Sequence, residues 1–165
     1  MTLNDLILMK NNKCFIETYE NFSITKDKVY FTFEKKIDGK NDLLPIFNEN
    51  KTELFGFLFL RDYLFFISNC ESDQNLTNEQ FLTNMYDEID DEKPYGKQRL
   101  ILMELNEETK QIKIKEIFEK INISPEKKII VLDKNNGNKI YIISLKSIFE
   151  TIVNNIYINN SNNKE

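Results

Sequence analysis

Not one of the 165 residues of this chain is a histidine. Histidine is the side chain most often used as a general base near neutral pH, and it is also the commonest metal ligand. Its absence excludes Ser-His-Asp and Cys-His nucleophiles, and it excludes mixed Cys/His zinc sites. Active sites built only from carboxylates, lysine or tyrosine stay open.

Glycine is also scarce, with four residues in the whole chain. They are too far apart to form a glycine-rich phosphate loop of either common type. Ser144 and Lys146 are two positions apart, which is not the Ser-x-x-Lys spacing that places both groups on one helical face. We therefore predict a protein that is not an enzyme and that has no cofactor.

Cysteine and long apolar runs are lacking as well. Cys14 and Cys70 are too few for a disulfide framework, and both adjoin apolar residues, as buried free thiols do. No stretch reaches the roughly 20 apolar residues of a membrane span, and the N-terminus does not resemble a signal peptide. We expect a cytoplasmic protein. Its formal charge of −5 argues against direct nucleic-acid binding, which usually needs a basic face.

Three segments have helical patterns with start signals. Thr2 is placed to cap a short first helix, and Thr77 begins a capping-box sequence. Ser144 precedes a final helix whose apolar side chains fall on one stripe. The members of that stripe are Leu145, Ile148, Phe149, Ile152, Val153 and Ile156.

The other apolar segments favour strands. Alternation over 28–37 predicts a half-buried strand, and 54–60 with 63–67 predicts a hairpin that turns at Arg61 and Asp62. Pro45 places the segment around it on a sheet edge, because proline cannot donate to a ladder. Further strands are predicted at the following ranges: 99–105, 111–118, 128–132 and 139–143.

These elements predict an α+β fold: a mainly antiparallel, hairpin-rich sheet of six to nine strands, packed by two main helices of which the last is C-terminal. Residues 1–158 are predicted to form one domain. The polar residues 159–165 are predicted to be a disordered tail. No internal repeat at a fixed period is visible.

Two candidate sites have simpler explanations. Residues 133–137 resemble the start of a calcium-binding loop, but the glycine is one position early and Ser144 stands where a glutamate is required. We therefore predict no metal site. Several phenylalanines could line a cavity, although phenylalanine at strand spacing more often lies in the core. They are Phe55, Phe57, Phe59, Phe65 and Phe66. Tyr63 and Tyr95 are better candidates for an interface.

The densest charge cluster follows the predicted second helix. Acidic residues at a helix C-terminus are disfavoured by about 0.3–1 kcal/mol each, so this cluster opposes helix stability. It could be a solvated helix end, a contact patch for a basic partner, or a divalent-cation site. The predicted partner-binding residues are Tyr86, Asp87, Glu88, Asp90, Asp91, Glu92 and Tyr95.

The function expected from the sequence is binding without catalysis. A small acidic inhibitor of the immunity or anti-defence type, which neutralises a basic toxin or nuclease, fits the charge, because negative charge speeds capture of a basic protein. The alternative is a structural or adaptor subunit of a larger assembly, such as a phage particle or a secretion machine, whose neighbouring subunit completes the apolar sheet. Self-association into a homo-oligomer is possible in either case.

Overall fold

The structure is a computed structural model that describes residues 1–8, 17–19, 23–34, 42–69, 75–87 and 92–162. For 17–19 and 155–162 only the backbone is described. The elements in chain order are α1 (Leu3–Ile7), β1 (Glu17–Tyr19), β2 (Ser23–Ile24), α2 (Val29–Glu34), β3 (Leu43–Phe47), β4 (Leu54–Phe59), α3 (Leu60–Asn69), α4 (Asn78–Tyr86), β5 (Ile101–Glu104), α5 (Ile114–Ile123), β6 (Lys128–Asp133), β7 (Lys139–Ser144) and α6 (Leu145–Asn162).

Contacts divide the chain into two compact units. The split unit combines Met1–Glu20 with Gln98–Glu165, and the continuous unit is Asn21–Lys97. The helical backbone of α6 extends to Asn162. Residues 163–165 lie outside the described part.

The continuous unit contains a three-stranded sheet in the order β2-β3-β4. Strands β2 and β3 are parallel, and β3 and β4 are antiparallel. Every residue of β3 and β4 is buried, as their apolar composition requires. The predicted edge position of Pro45 is wrong, because β3 is the central strand of this sheet.

The split unit contains a four-stranded sheet in the order β1-β7-β6-β5. Strands β5 and β6 are parallel, whereas β7 pairs antiparallel with β6 and with β1. The predicted hairpin around 133–138 is present. Helices α1, α5 and α6 contribute to the core of this unit, which comprises Leu3, Leu6, Ile114, Ile117, Ile121, Ile129, Val131, Tyr141, Ile143 and Ile148.

The predicted fold class is therefore wrong. In place of one antiparallel sheet of six to nine strands with two main helices, the described residues form two mixed sheets and six α-helices. Three predicted strands are helical instead: 28–37 contains α2, 63–67 lies in α3, and 111–118 overlaps α5.

Val29 and Phe33 satisfy both strand spacing and helical spacing, which explains why 28–37 was predicted as a strand. In α2 the buried residues are Val29, Thr32 and Phe33, at i, i+3 and i+4. Phe31, which the strand pattern placed on the buried face, is 45% exposed. Runs this short can match both periods, so packing decides between them.

The predicted helix starts at Thr2, Thr77 and Ser144 are confirmed. Thr2 and Thr77 both form complete capping boxes, with Asp5 and Gln80 respectively. At the start of α6 the Ser147 amide donates to Ser144 Oγ at 3.2 Å. Each cap satisfies amide groups that have no partner within their own helix.

Candidate functional site

The two units contain the same β-α-β-β-α motif. In the continuous unit it is β2-α2-β3-β4-α3, and in the split unit it is β5-α5-β6-β7-α6. The pairings correspond at a constant offset of 85 positions: Leu43 pairs with Phe59, and Lys128 pairs with Ser144. This offset holds across the two antiparallel pairs up to the irregularity at Phe47. The chain therefore contains a structural repeat that its sequence did not reveal.

In both repeats the last strand runs directly into a helix without a loop. We call this junction the strand-helix corner: Phe59–Asp62 in the continuous unit and Ser144–Ser147 in the split unit. Each corner has leucine at the first helical position and a cation at the second, followed by a polar residue. Backbone amides at helix N-termini have no partner within their helix and favour anions. The corners are therefore the first places to examine for binding chemistry.

In the corner of the split unit the polar groups of Ser144 and Ser147 form hydrogen bonds with each other. The Ser144 amide donates to Ser147 Oγ at 2.9 Å, and the Ser147 amide donates back to Ser144 Oγ. The Ser147 hydroxyl also donates to the Ser144 carbonyl at 2.9 Å. Ser147 is 7% exposed, so these groups stabilise the helix start and present little surface to a ligand.

The corner of the continuous unit differs at both polar positions. Phe59, buried in the core, stands where the other repeat has Ser144. Asp62 stands in place of Ser147, and its side chain is half-buried in the first turn of α3. Beside it the guanidinium-bearing Arg61 is exposed. This corner brings together a carboxylate, a cation and the positive end of a ten-residue helix.

Chemically, that combination suits a polyol phosphate. A carboxylate accepts hydrogen bonds from the hydroxyl pair of a ribose, as acidic residues do in dinucleotide-binding folds. A guanidinium and helix amides bind phosphate oxygens. Because Arg61 and Asp62 interrupt an apolar run, they were expected to form a turn, and this corner was not predicted as a candidate site. The signal was present as the matching Leu-Arg-Asp and Leu-Lys-Ser segments after two apolar strands.

A small pocket lies elsewhere in the continuous unit. It has a volume of about 180 Å³ and is lined by Ser23, Asp27, Lys28, Phe31 and Thr32. Its charged groups also make bonds within the unit: Asp27 accepts from the Ile24 amide at 3.1 Å, and Lys28 donates to the Asn75 carbonyl at 2.7 Å. Pockets for small molecules usually measure about 300–1,000 Å³, so this pocket is too small for a whole nucleotide.

The predicted partner-binding residues are only partly within the described region. Tyr86 and Tyr95 are 6% and 5% exposed and stack at 6.2 Å, so their rings are core residues. Asp87 accepts a hydrogen bond from the Tyr95 hydroxyl, and Glu92 forms an ion pair of 2.6 Å with Lys97. Glu88, Asp90 and Asp91 lie outside the described residues. Binding of a basic partner by this segment stays a prediction.

The phenylalanines that were weighed as a cavity lining divide into two groups. Phe55, Phe57 and Phe59 of β4 are buried core residues, whereas Phe65 of α3 is 69% exposed. Phe66 packs edge-on against Phe81.

Tyr63, considered for an interface, stacks on Phe33 at 5.1 Å. Burial raises the pKa of its hydroxyl above the usual value, and Tyr30 nearby adds to this increase.

Within the described ranges, no group of three or more acidic or cysteine side chains is arranged to hold a metal ion. Cys14 and Cys70 lie outside those ranges. The calcium-loop resemblance at 133–137 corresponds to a hairpin turn, in which Gly137 has a φ of +62°. Across the same ranges, none of the helices has the length and apolar character needed to cross a bilayer.

Comparison with known proteins gives matches among solved structures only. No family model matches the chain, and no curated protein matches it. A CBS domain protein from Streptococcus pneumoniae has a TM-score of 0.55 at 16% identity, over 93% of this chain and 89% of that one. The protein CBSX2, whose structure is a complex with AMP, has a TM-score of 0.52 at 12% identity, over 96% and 98%. Hypoxic Response Protein I with two coordinated zinc ions scores 0.54 at 12% identity, over 90% and 96%.

At these identities the likeness concerns the fold: this chain has the fold of CBS-domain proteins. The finding contradicts both functions expected from the sequence, the acidic inhibitor of immunity or anti-defence type and the assembly subunit. Those functions were expected only from net charge and apolar content, and no sequence motif supported them. Neither property distinguishes a paired β-α-β-β-α fold from other small acidic proteins.

Proposed function

We propose that this chain is a regulatory module that binds an adenine nucleotide, with AMP as the first candidate, and that it performs no catalysis. The observation that carries the proposal is the duplicated β-α-β-β-α motif with matched register, because this is the fold shared with the AMP complex of CBSX2. A cytoplasmic location, expected from the sequence, suits a nucleotide ligand.

Within the repeat we assign ribose recognition to Asp62. The corner of the continuous unit has a carboxylate in the first turn of α3, whereas the equivalent Ser147 is buried and bonded to Ser144. Arg61 and the N-terminal amides of α3 supply positive charge for the phosphate. The two repeats are thus unequal, and the repeat with Asp62 is the one we propose to bind the sugar.

Zinc has no part in this proposal, although one similar structure contains it. The chain has no histidine, and the described residues offer no cluster of three acidic or cysteine ligands. Borderline-soft zinc prefers nitrogen and sulfur donors.

Isothermal titration calorimetry of the wild-type chain with AMP, ADP and ATP tests the proposal. AMP is expected to bind, and 2′-deoxy-AMP is expected to bind more weakly, because the lost hydroxyl leaves the Asp62 carboxylate one donor short. Asp62→Asn should weaken AMP binding about ten-fold or more, since hydrogen bonds to charged groups contribute about 1.5–3 kcal/mol. In this variant the preference for AMP over 2′-deoxy-AMP should shrink.

Glu79→Gln is the matched control. Glu79 is an exposed carboxylate in the first turn of α4, in the same unit. Its replacement removes one negative charge near a helix N-terminus, as Asp62→Asn does. It should leave AMP affinity unchanged. Absence of binding of all three nucleotides to the wild type would overturn the proposed function. Unchanged AMP affinity in Asp62→Asn would overturn the role of Asp62.

A further inference from the structure

The small pocket of the continuous unit is separate from the proposed nucleotide corner. All of its lining residues lie in β2, in α2 or in the connection between them. Strand β2 pairs with Ile46 and Phe47 at one end of β3, whereas the corner begins at Phe59, which pairs with Leu43 at the other end. The volume of about 180 Å³ equals that of about six water molecules at roughly 30 Å³ each, which is room for a small metabolite.

A carboxylate and an ammonium group line this pocket at consecutive positions. Asp27 accepts a hydrogen bond from the Ile24 amide at 3.1 Å, and a carboxylate has further acceptor sites. The Lys28 ammonium donates to the Asn75 carbonyl at 2.7 Å, which holds the group in place and leaves it other N–H donors. A ligand with a single charge would face a like charge here. A zwitterion can pair with both groups.

An exposed aromatic ring supplies the apolar part of the lining. Phe31 is 45% exposed, and its ring stacks on that of Tyr30 with 4.3 Å between the centroids. The Thr32 hydroxyl, also in the lining, donates to the Lys28 carbonyl at 3.1 Å and is therefore already engaged. The pocket thus combines two opposite charges with an apolar surface, so it suits a small molecule that has all three features.

The connection that carries the charged pair is fixed from below by a buried polar residue. Asn78 is fully buried, and its backbone amide donates to the Asp27 carbonyl at 2.8 Å. Its side-chain amide donates to the Ile24 carbonyl and to the Thr32 hydroxyl, both at 2.9 Å. These bonds position the pocket before any ligand arrives, which lowers the cost of binding.

The second repeat lacks these polar groups at the equivalent positions. The middle helix of each repeat begins beside a β-bridge, Lys28 with Thr77 and Lys113 with Thr2. These bridges extend the offset of 85 positions to the starts of α2 and α5. The equivalents of Asp27, Phe31, Thr32 and Asn78 are, in that order, Ile112, Glu116, Ile117 and Leu3. The fold is therefore built equally well with apolar residues at three of the four positions, and the polar set of the continuous unit serves another purpose.

We propose that this pocket binds a free α-amino acid with an apolar side chain, with L-leucine as the first candidate. The ammonium group of the ligand pairs with Asp27, its carboxylate pairs with Lys28, and its side chain packs against Phe31. The site requires no nucleotide, so it stands independently of the proposed function.

An NMR titration of the isotopically labelled wild type with L-leucine, without nucleotide, tests this inference. Saturable shifts of backbone amide signals are expected within residues 23–32. Isoamylamine, which lacks the carboxylate, and isocaproate, which lacks the ammonium group, should each bind about ten-fold more weakly or less, because each loses one charge-assisted pair. Glycine, which lacks the apolar side chain, should also bind more weakly than leucine.

Asp27→Asn should raise the dissociation constant of leucine about ten-fold or more, because the charged partner of the ammonium group is lost. The asparagine keeps a side-chain oxygen for the Ile24 amide, so the connection is preserved. Phe31→Ala should weaken leucine binding and reduce the preference for leucine over glycine. Because Phe31 is substantially exposed, its replacement leaves the core intact.

Two matched controls belong to the same unit. Glu53→Gln removes an exposed carboxylate, and Phe65→Ala removes a phenylalanine that is 69% exposed, and neither residue lines the pocket. Both should bind leucine like the wild type. Circular dichroism establishes that each variant is folded, and Lys28→Gln replaces Asp27→Asn if that variant is not. The inference is overturned if leucine causes no shifts in the wild type, if isoamylamine and isocaproate bind as tightly as leucine, or if the charge variant keeps wild-type affinity.

Discussion

The hydroxyl of Tyr95 donates a hydrogen bond of 2.8 Å to Asp87 Oδ1, across the end of α4. Tyr95 is buried and its backbone pairs with β4, donating to the Phe55 carbonyl at 3.0 Å. Asp87 therefore has a structural role at a position where the helix dipole disfavours a carboxylate. This explains one member of the acidic cluster without a binding partner.

Tyr95→Phe should lower the free energy of unfolding by about 1 kcal/mol, because one part-buried hydrogen bond is lost while the ring keeps its edge contact with Phe55. Asp87→Asn should also destabilise the fold, although removal of a carboxylate from a helix C-terminus would by itself stabilise the helix. Urea unfolding of both single variants and the double variant measures the coupling between them. Strictly additive losses would show that the bond contributes nothing.

Ile148→Ala in α6 should cost about 2–5 kcal/mol, because Ile148 is fully buried in the core of the split unit. Phe149→Ala should change stability by less than about 0.5 kcal/mol, because Phe149 is largely exposed. The predicted helical stripe placed both residues on the sheet. Thermal melts of the two variants distinguish the positions, and equal losses would contradict the difference in burial between Ile148 and Phe149.

Gly56→Ala should destabilise the continuous unit by about 1–3 kcal/mol through overpacking. A Cβ atom at this position would lie 3.0 Å from Tyr95 Cβ and 3.1 Å from the Tyr95 carbonyl oxygen, and neither atom belongs to a flexible side-chain end. Gly137→Ala is the comparison, because a Cβ atom at position 137 would meet no atom within 4 Å. Its expected cost of about 1 kcal/mol comes only from the φ of +62°. Chemical denaturation should rank Gly56→Ala as the more damaging change.

Tyr63 should make the protein more sensitive to alkali. Its pKa is raised in the folded state, first by burial and then by Tyr30, above an unfolded value near 10. The folded state therefore holds this proton more tightly. The resulting stability is fully present below about pH 10 and is lost as the pH rises through the folded pKa. Melting temperatures of the wild type and Tyr63→Phe, measured from pH 8 to pH 11, should converge or cross at the alkaline end. A constant difference would contradict the raised pKa.

Local signals predicted the helix starts and the hairpin whose turn contains typical turn residues. Thr77 and Gln80 form their capping box from residues three apart, so no distant contact is needed to place them. The hairpin of β6 and β7 is similarly local. The segments that became α2, α3 and α5 were assigned to strands, because their apolar residues satisfy both periods over a short length and only tertiary packing selects the helix.

The repeat and the candidate site could not be predicted from local signals. The positions equivalent to Asp62 and Gly56 are Ser147 and Tyr141, so the two motifs share pairing register rather than residue identity. Arg61 and Asp62 interrupt an apolar run, which a single sequence presents as a turn. Only a comparison of the hairpin β3-β4 with the hairpin β6-β7 shows that Arg61 and Asp62 lie at the start of a helix.

The division of the split unit has a consequence for synthesis. Glu17 of β1 pairs with Ile142 of β7, so β1 waits during translation for a partner that is made 125 residues later. The continuous unit, encoded between them, has all of its strands available well before that point. During translation it can fold first, because domains generally fold as units as they leave the ribosome. A chain whose synthesis stops before β7 would then contain the continuous unit, whereas β1 would lack its partner strand and Leu3 and Leu6 would lack the part of their core that β7 supplies.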